Sequence, residues 1–193
     1  MTNIIVVGGG AAGLLAGIAA TELGAQVMIL EKMRTPGRKM LITGKGRCNI
    51  TNNCEIAEII RNLPGNGRFL NSALHRFSND DMIYLLESHG LQTKVERGGR
   101  VFPVTDKAKD VVDTLLNIYR EKGGKLLVDQ TVSKILIEDG CVAGVVTNDG
   151  NKYTADAVII TTGGASYPGT GSDGNGFTLA KACGHTIITL KPS

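Results

Sequence analysis

Short β-branched runs alternate along the chain with longer stretches of helical period. Asn3–Val7 is unbroken by polar residues after its first position and predicts a strand buried on both faces. Residues 11–23 are rich in Ala and Leu and free of Pro, which predicts a helix. Gly24 follows, where a left-handed cap is expected. Residues 26–31 carry Val27, Ile29 and Leu30 and predict a second strand, completing a βαβ unit.

The periodicity then fails. Residues 32–53 hold Gly37, Gly44 and Gly46 among Arg34, Arg38, Lys39, Lys45 and Arg47, and predict a loop long enough to be functional. Helices are predicted at 55–62, 68–76 and 79–89, the last capped by Ser78 with Asp80 and Asp81 in its first turn. Residues 93–96 and 100–102 read as a hairpin around Gly98 and Gly99. Residues 106–122 form an amphipathic helix with Ala108, Val111, Val112, Leu115, Leu116 and Tyr119 on one face. Beyond Gly123 and Gly124, residues 125–128 predict a third parallel strand. Three strands at 132–138, 142–147 and 152–154 are joined by the hairpin signals Asp139-Gly140 and Asp149-Gly150. Residues 157–160 are a fourth parallel strand. A second glycine-rich loop (161–176), a helix at 177–183 and a last strand at 186–190 follow.

Composition narrows the classes. Of 193 residues 26 are glycine, clustered in turns and without a triplet period, which excludes collagen. Aromatics are only 4%, with no Trp, which argues against a stacking platform for single-stranded nucleic acid. The net charge of +3 is too mild to require a polyanionic partner. No apolar run is long enough for a membrane span. The first residues lack a basic n-region, and Gly8–Gly10 would break a signal helix, so the N-terminus reads as mature structure. Cys48, Cys54, Cys141 and Cys183 show no close pairing, which predicts reduced thiols in a cytoplasmic protein and supports no metal site.

Gly8, Gly10 and Gly13 form a Gly-x-Gly-x-x-Gly fingerprint directly after a strand and at the opening of a helix. The first glycine permits the tight turn, the second lets backbone approach a pyrophosphate, and the third lets helix and strand pack closely. The backbone N–H groups of Ala11, Ala12 and Gly13 are the expected phosphate ligands. Glu31 closes the second strand, where a carboxylate accepts from a ribose diol and repels a 2′-phosphate. That favours FAD or NAD over NADP at this site. About 90 residues then separate the second strand from the third, and a three-stranded meander replaces the next crossover helix. This layout resembles the two-dinucleotide-binding-domain flavoproteins, with FAD extended across the sheet. The resemblance implies that Val132 lies at the adenine and that Thr161-Thr162-Gly163-Gly164 packs backbone against the cofactor.

The most specific block is Gly44-Lys45-Gly46-Arg47-Cys48-Asn49-Ile50-Thr51-Asn52. With GGGAAG at the fingerprint, GRVFP at 99–103, TTGGASYPGTGS at 161–172 and AKACGHTI at 180–187, the chain resembles the HI0933-like flavoproteins over nearly all its length. The resemblance implies an α/β, Rossmann-like FAD-binding domain over 1–193, with a parallel sheet and a three-stranded β-meander crossover. Beyond this length it implies an inserted substrate-facing domain and a last FAD-domain strand. It also implies non-covalent FAD and flavin oxidoreduction, with NAD(P)H as a possible electron donor and a small-molecule substrate. Amine oxidation and enone reduction both remain open. Lys32 is expected at the cofactor, and Arg38 and Lys39 are expected to reach the ribose or phosphate charge. Gly46, Arg47, Cys48 and Asn49 are expected by the ribityl chain and isoalloxazine, with Thr162, Gly163 and Gly164 beside them. The family commonly carries Ser-Thr-Gly-Asp-Gly where this chain has Ser172-Asp173-Gly174-Asn175-Gly176. No catalytic acid or base is assigned. No nucleic acid or membrane partner is expected, and oligomeric state is not legible. Two alternatives stand beside this reading: FAD as a structural element in an RNA-modifying or partner-binding protein, and an NAD-only dehydrogenase.

Overall fold

A computed structural model describes residues 1–190. In chain order the elements begin with β1 (Asn3–Val7), α1 (Ala11–Glu22) and β2 (Gln26–Leu30), with Gly24 left-handed between α1 and β2 (φ 83°) as its cap position requires. The glycine- and arginine-rich stretch 32–53, expected as a loop, contains α2 (Arg38–Ile42), a 3₁₀ turn at Thr43–Gly46 and β3 (Thr51–Asn52). Helix α2 is only five residues long and has no acid in its first turn to announce it. Then come α3 (Ile56–Asn62), α4 (Asn71–Arg76), preceded by a 3₁₀ turn at Gly67–Leu70, and α5 (Asn79–Ser88). Ser78 caps α5 in a capping box with Asp81. Next are β4 (Thr93–Glu96), β5 (Arg100–Pro103), α6 (Ala108–Glu121), β6 (Lys125–Leu127), β7 (Val132–Glu138), β8 (Cys141–Thr147), β9 (Lys152–Thr154), β10 (Ala157–Ile160) and α7 (Asn175–Ala182).

The chain divides into two compact units, Met1–Met40 with Leu115–Thr189, and Leu41–Thr114. The first holds a parallel sheet in the order β10-β1-β2-β6 and an antiparallel meander β7-β8-β9. Ile5, Val7 and Leu30 turn one face of the parallel sheet into a core with Val132, Ile135 and Val145 of the meander and Leu179 of α7. On the opposite face a Cβ at Gly17 of α1 would lie 3.1 Å from Ile29 and 2.8 Å from the ring of Tyr119, so α1 packs there at backbone distance. Tyr119 is fully buried, and its hydroxyl donates to the carbonyls of Val27 and Lys125, each at 2.9 Å.

The second unit is built on the antiparallel sheet β3-β5-β4. The predicted hairpin is present, with Val95 opposite Val101. Residues 186–190, expected as a strand, pair with no strand among the described residues. Ile188 is 79% exposed there, and an apolar run without a sheet neighbour stays irregular. No helix among the described residues is long and apolar enough to cross a membrane.

Candidate dinucleotide site

The parallel register brings the ends of β1, β2 and β10 together, Val7 beside Leu30 and Ile160. After Val7 the chain turns at Gly8, whose φ of 107° suits glycine. A Cβ there would sit 2.7 Å from the Thr161 carbonyl oxygen. At Gly13 a Cβ would overlap the Gly8 carbonyl oxygen and lie 2.8 Å from Thr161 Oγ1, so nothing larger fits between turn and helix. Gly10 is different. Its φ of −82° and ψ of −170° suit any residue, and nothing lies within 4 Å of its Cβ position. Packing within the unit gives no reason for glycine there, whereas a ligand drawn against the backbone does. Helix α1 has no side-chain cap and no acid in its first turn. The first N–H to close a helical turn is that of Leu14, onto Gly10 (2.9 Å). The N–H groups of Ala11, Ala12 and Gly13 are therefore left to a ligand at the positive end of the helix.

Glu31 is 8% exposed. One carboxylate oxygen accepts from Gly9 N–H at 2.6 Å and the other from Met33 N–H at 2.7 Å. The carboxylate thus ties the fingerprint turn to the end of its own strand, and each oxygen keeps a lone pair for a diol. The loop after it folds back onto the turn, Gly37 N–H donating to Gly9 at 2.9 Å.

Thr161 links β10 to the same turn. Its hydroxyl lies 3.0 Å from the Val7 carbonyl and 2.9 Å from that of Gly8. Thr162 faces α7, where a Cβ at Gly176 would overlap its hydroxyl. Gly163 has a φ of 77° and lies against Ser172 Oγ. The two glycine-rich segments meet: Lys39 Nζ stands 5.7 Å over the Tyr167 ring, and Lys32 Nζ pairs with Asp173 at 2.7 Å. That pair holds the Asp173 carboxyl below its ordinary range, helped by the Asn175 N–H. Asn175 Nδ2 donates to the Val132 carbonyl at 2.9 Å. Arg38 is exposed and its side chain has no partner among the described residues.

The remaining predicted residues, Gly46, Arg47, Cys48 and Asn49, belong to the second unit. Gly44, Lys45, Gly46 and Cys48 all have positive φ, an unusual density of left-handed backbone. Arg47 anchors this turn. Its guanidinium lies 4.1 Å over Phe102, and Nη1 reaches Glu96 at 2.8 Å and Asp106 at 3.4 Å. Asn49 is exposed. Cys48 is buried, and burial pushes its thiol up despite the Thr43 hydrogen bond. Alkylation near neutral pH is therefore expected at exposed Cys141 well before Cys48, which peptide mapping after limited iodoacetamide will show; equal labelling would contradict the buried thiol. Sequence reasoning names Thr161, Asp173 and Asn175 within its glycine-rich motifs without their partners, and passes over Glu96 and Asp106, which carry no local signal.

The HI0933-like protein Rossmann domain matches residues 2–191. The chain belongs to the HI0933-like family. It is 35% identical over 195 residues to a 3-dehydro-bile acid delta(4,6)-reductase of Clostridium scindens, covering 100% of this chain and 46% of that protein. It is 33% identical over 191 residues to a ribosomal RNA dihydrouridine synthase of Escherichia coli, covering 98% and 46%. The chain thus spans about half the length of the curated relatives it matches. Among solved structures, a 3-ketosteroid-delta4-(5alpha)-dehydrogenase of Rhodococcus jostii superposes with a TM-score of 0.70 at 17% identity, over 95% of this chain and 54% of that one. This likeness establishes the fold. The HI0933-like Rossmann domain is of the FAD-binding kind. The open space at Gly10, the free helix N-terminus and the carboxylate of Glu31 fit that dinucleotide.

Proposed function

We propose that this HI0933-like protein is an FAD-dependent oxidoreductase that passes a hydride between flavin and NAD(P)H or an organic substrate. The observation that carries it is Gly10, a glycine that packing does not require, at the mouth of a helix with no side-chain cap. When bound, FAD supplies a two-electron hydride acceptor and donor. The N–H groups of Ala11, Ala12 and Gly13 hold the pyrophosphate, Glu31 the adenosine ribose, and backbone at Val132 the adenine edge. Thr162, Gly163 and Gly164 keep side chains off the cofactor. Arg38 and Lys39 supply positive charge beside the phosphates. Within the second unit, Arg47 holds the turn of Gly46, Cys48 and Asn49 in shape.

The relatives' names support a reductive direction. A delta(4,6)-reductase and a dihydrouridine synthase both add hydrogen across carbon–carbon double bonds. The substrate we favour is a small molecule bearing a double bond conjugated to a carbonyl. RNA is the second reading, favoured by synthases from Escherichia coli and Haemophilus influenzae at 33% and 31% identity. Affinity for a uridine-containing RNA that falls steeply with salt would select RNA; weak, salt-insensitive binding would select the small molecule.

The direct test is an absorption spectrum of the full-length protein before and after anaerobic NADH or NADPH. A band near about 450 nm that bleaches is expected of flavin fed by nicotinamide. A band that persists assigns reduction to an organic substrate instead. A colourless protein that takes up no added FAD would overturn the proposal.

A further inference from the structure

Lys32 follows the ribose carboxylate Glu31 and is the cation that sequence reasoning sends to the cofactor. Its ammonium is instead ion-paired to a carboxylate, with no further partner among the described residues. The side chain is 17% exposed, and Nζ lies 2.7 Å from Asp173 Oδ1. The same oxygen accepts from Asn175 N–H at 3.1 Å. Two residues on, Asn175 Nδ2 reaches the Val132 carbonyl at 2.9 Å. Val132 is itself close to Glu31 along the backbone, since Gln130 N–H donates to the Glu31 carbonyl at 2.9 Å. Asp173 and Asn175 therefore fasten the second glycine-rich loop on both sides of Glu31. The intervening fit is close: a Cβ at Gly171 would stand 3.2 Å from Lys32 Cε and 3.1 Å from Met33 Cγ.

We infer that Lys32–Asp173 and Asn175–Val132 form a two-point clamp that fixes the loop 163–174 against the Glu31 segment, with Lys32 a positioning residue and not a phosphate ligand. The inference rests on the FAD reading of the site. Chemistry selects the residue type at each point. Only a donor serves at 175, because the group it faces is a carbonyl oxygen; the aspartate common at this position would present a second acceptor. The negative charge sits instead at 173, where Lys32 neutralises it.

The two roles for Lys32 predict opposite signs for one substitution. If Lys32 held a phosphate, Asp173→Asn would release the ammonium and tighten FAD binding. If Lys32 serves the clamp, Asp173→Asn weakens FAD by about three- to tenfold, Lys32→Met does the same, and the double variant is no worse than either alone. Lys32→Arg retains the pair and restores affinity. Asn175→Asp weakens FAD further, by about ten- to a hundredfold, because a carboxylate meets a carbonyl. FAD affinity is read by quenching of flavin fluorescence on the full-length protein, with thermal melts confirming that each variant folds. Tighter FAD with Asp173→Asn, or no change in any variant, would overturn the clamp. A wild type that takes up no FAD would overturn the FAD reading. The coupling of Lys32→Met with Asp173→Asn in the melts would then still decide whether the clamp exists, additive losses counting against it.

Discussion

Gly10→Ala and Gly13→Ala, three residues apart in one fingerprint, are expected to fail in different ways. At Gly13 the added methyl overlaps the Gly8 carbonyl oxygen and crowds Thr161 Oγ1. Neither neighbour can retreat, because Gly8 N–H bonds Leu30 at 2.8 Å and the Thr161 hydroxyl bonds Gly8. Helix α1 must lift off the sheet. Overpacking of this kind costs about 3 kcal/mol, the upper end of its usual range. For a chain of this length that lowers Tm by about 6–12 °C. FAD is lost as well, since the helix N-terminus moves with the helix. At Gly10 the methyl meets nothing and the backbone angles are ordinary. Only the cap preference is lost, about 1 kcal/mol at most. The methyl does enter the space a pyrophosphate needs, so FAD affinity falls by about a hundredfold or more, near 3 kcal/mol. Melts and FAD titrations of the two variants separate packing from binding. A Gly10→Ala protein that keeps its FAD would remove the central support for the proposed function.

The parts of this fold legible in sequence are those whose cause is local. β1, α1, β2 and the meander follow from unbroken apolar runs, a Pro-free Ala/Leu stretch and two Asp-Gly turns, and the structure shows each within a residue or so. Ser78 announced its helix because a capping box lies within three residues. Where the cause is distant, sequence reasoning stopped. Arg47 and Lys32 lie in the loop whose resemblance places them at the cofactor, and their ion-pair partners are distant. Their acids are Glu96, Asp106 and Asp173, 49, 59 and 141 residues away. Asn175 read as an unexplained departure from a motif because its acceptor, the Val132 carbonyl, lies 43 residues upstream. Residues 186–190 have strand composition, but a strand needs a neighbour, and composition does not supply one. Glycine was the most transferable signal. Gly8, Gly10 and Gly13 were assigned three separate roles, and the packing around their Cβ positions distinguishes those roles.

Glu31→Gln is the second large effect, and it tests whether one carboxylate serves fold and ligand together. The substitution keeps the shape and removes the charge. An amide has one acceptor oxygen, whereas the native carboxylate answers both Gly9 N–H and Met33 N–H. In either amide orientation an NH₂ faces a backbone N–H in a buried site. Leaving one such donor unmet costs about 2–3 kcal/mol, so Tm falls by about 4–12 °C. The ribose diol then loses an acceptor and meets a donor, and FAD weakens at least about tenfold. Glu31→Asp is a poor rescue, because a carboxylate one methylene shorter cannot reach both N–H groups at 2.6 and 2.7 Å. The two readouts decide independently. A lower melting point with unchanged FAD affinity would leave Glu31 as scaffold alone and send ribose recognition elsewhere on the sheet edge. Loss of FAD at a wild-type melting point would mean that backbone at Gly9 relaxes around the amide and that the carboxylate is there chiefly for the ligand. Loss of both is the expected result, because the carboxylate that would bind the ribose is the one that holds the phosphate-binding turn against its strand.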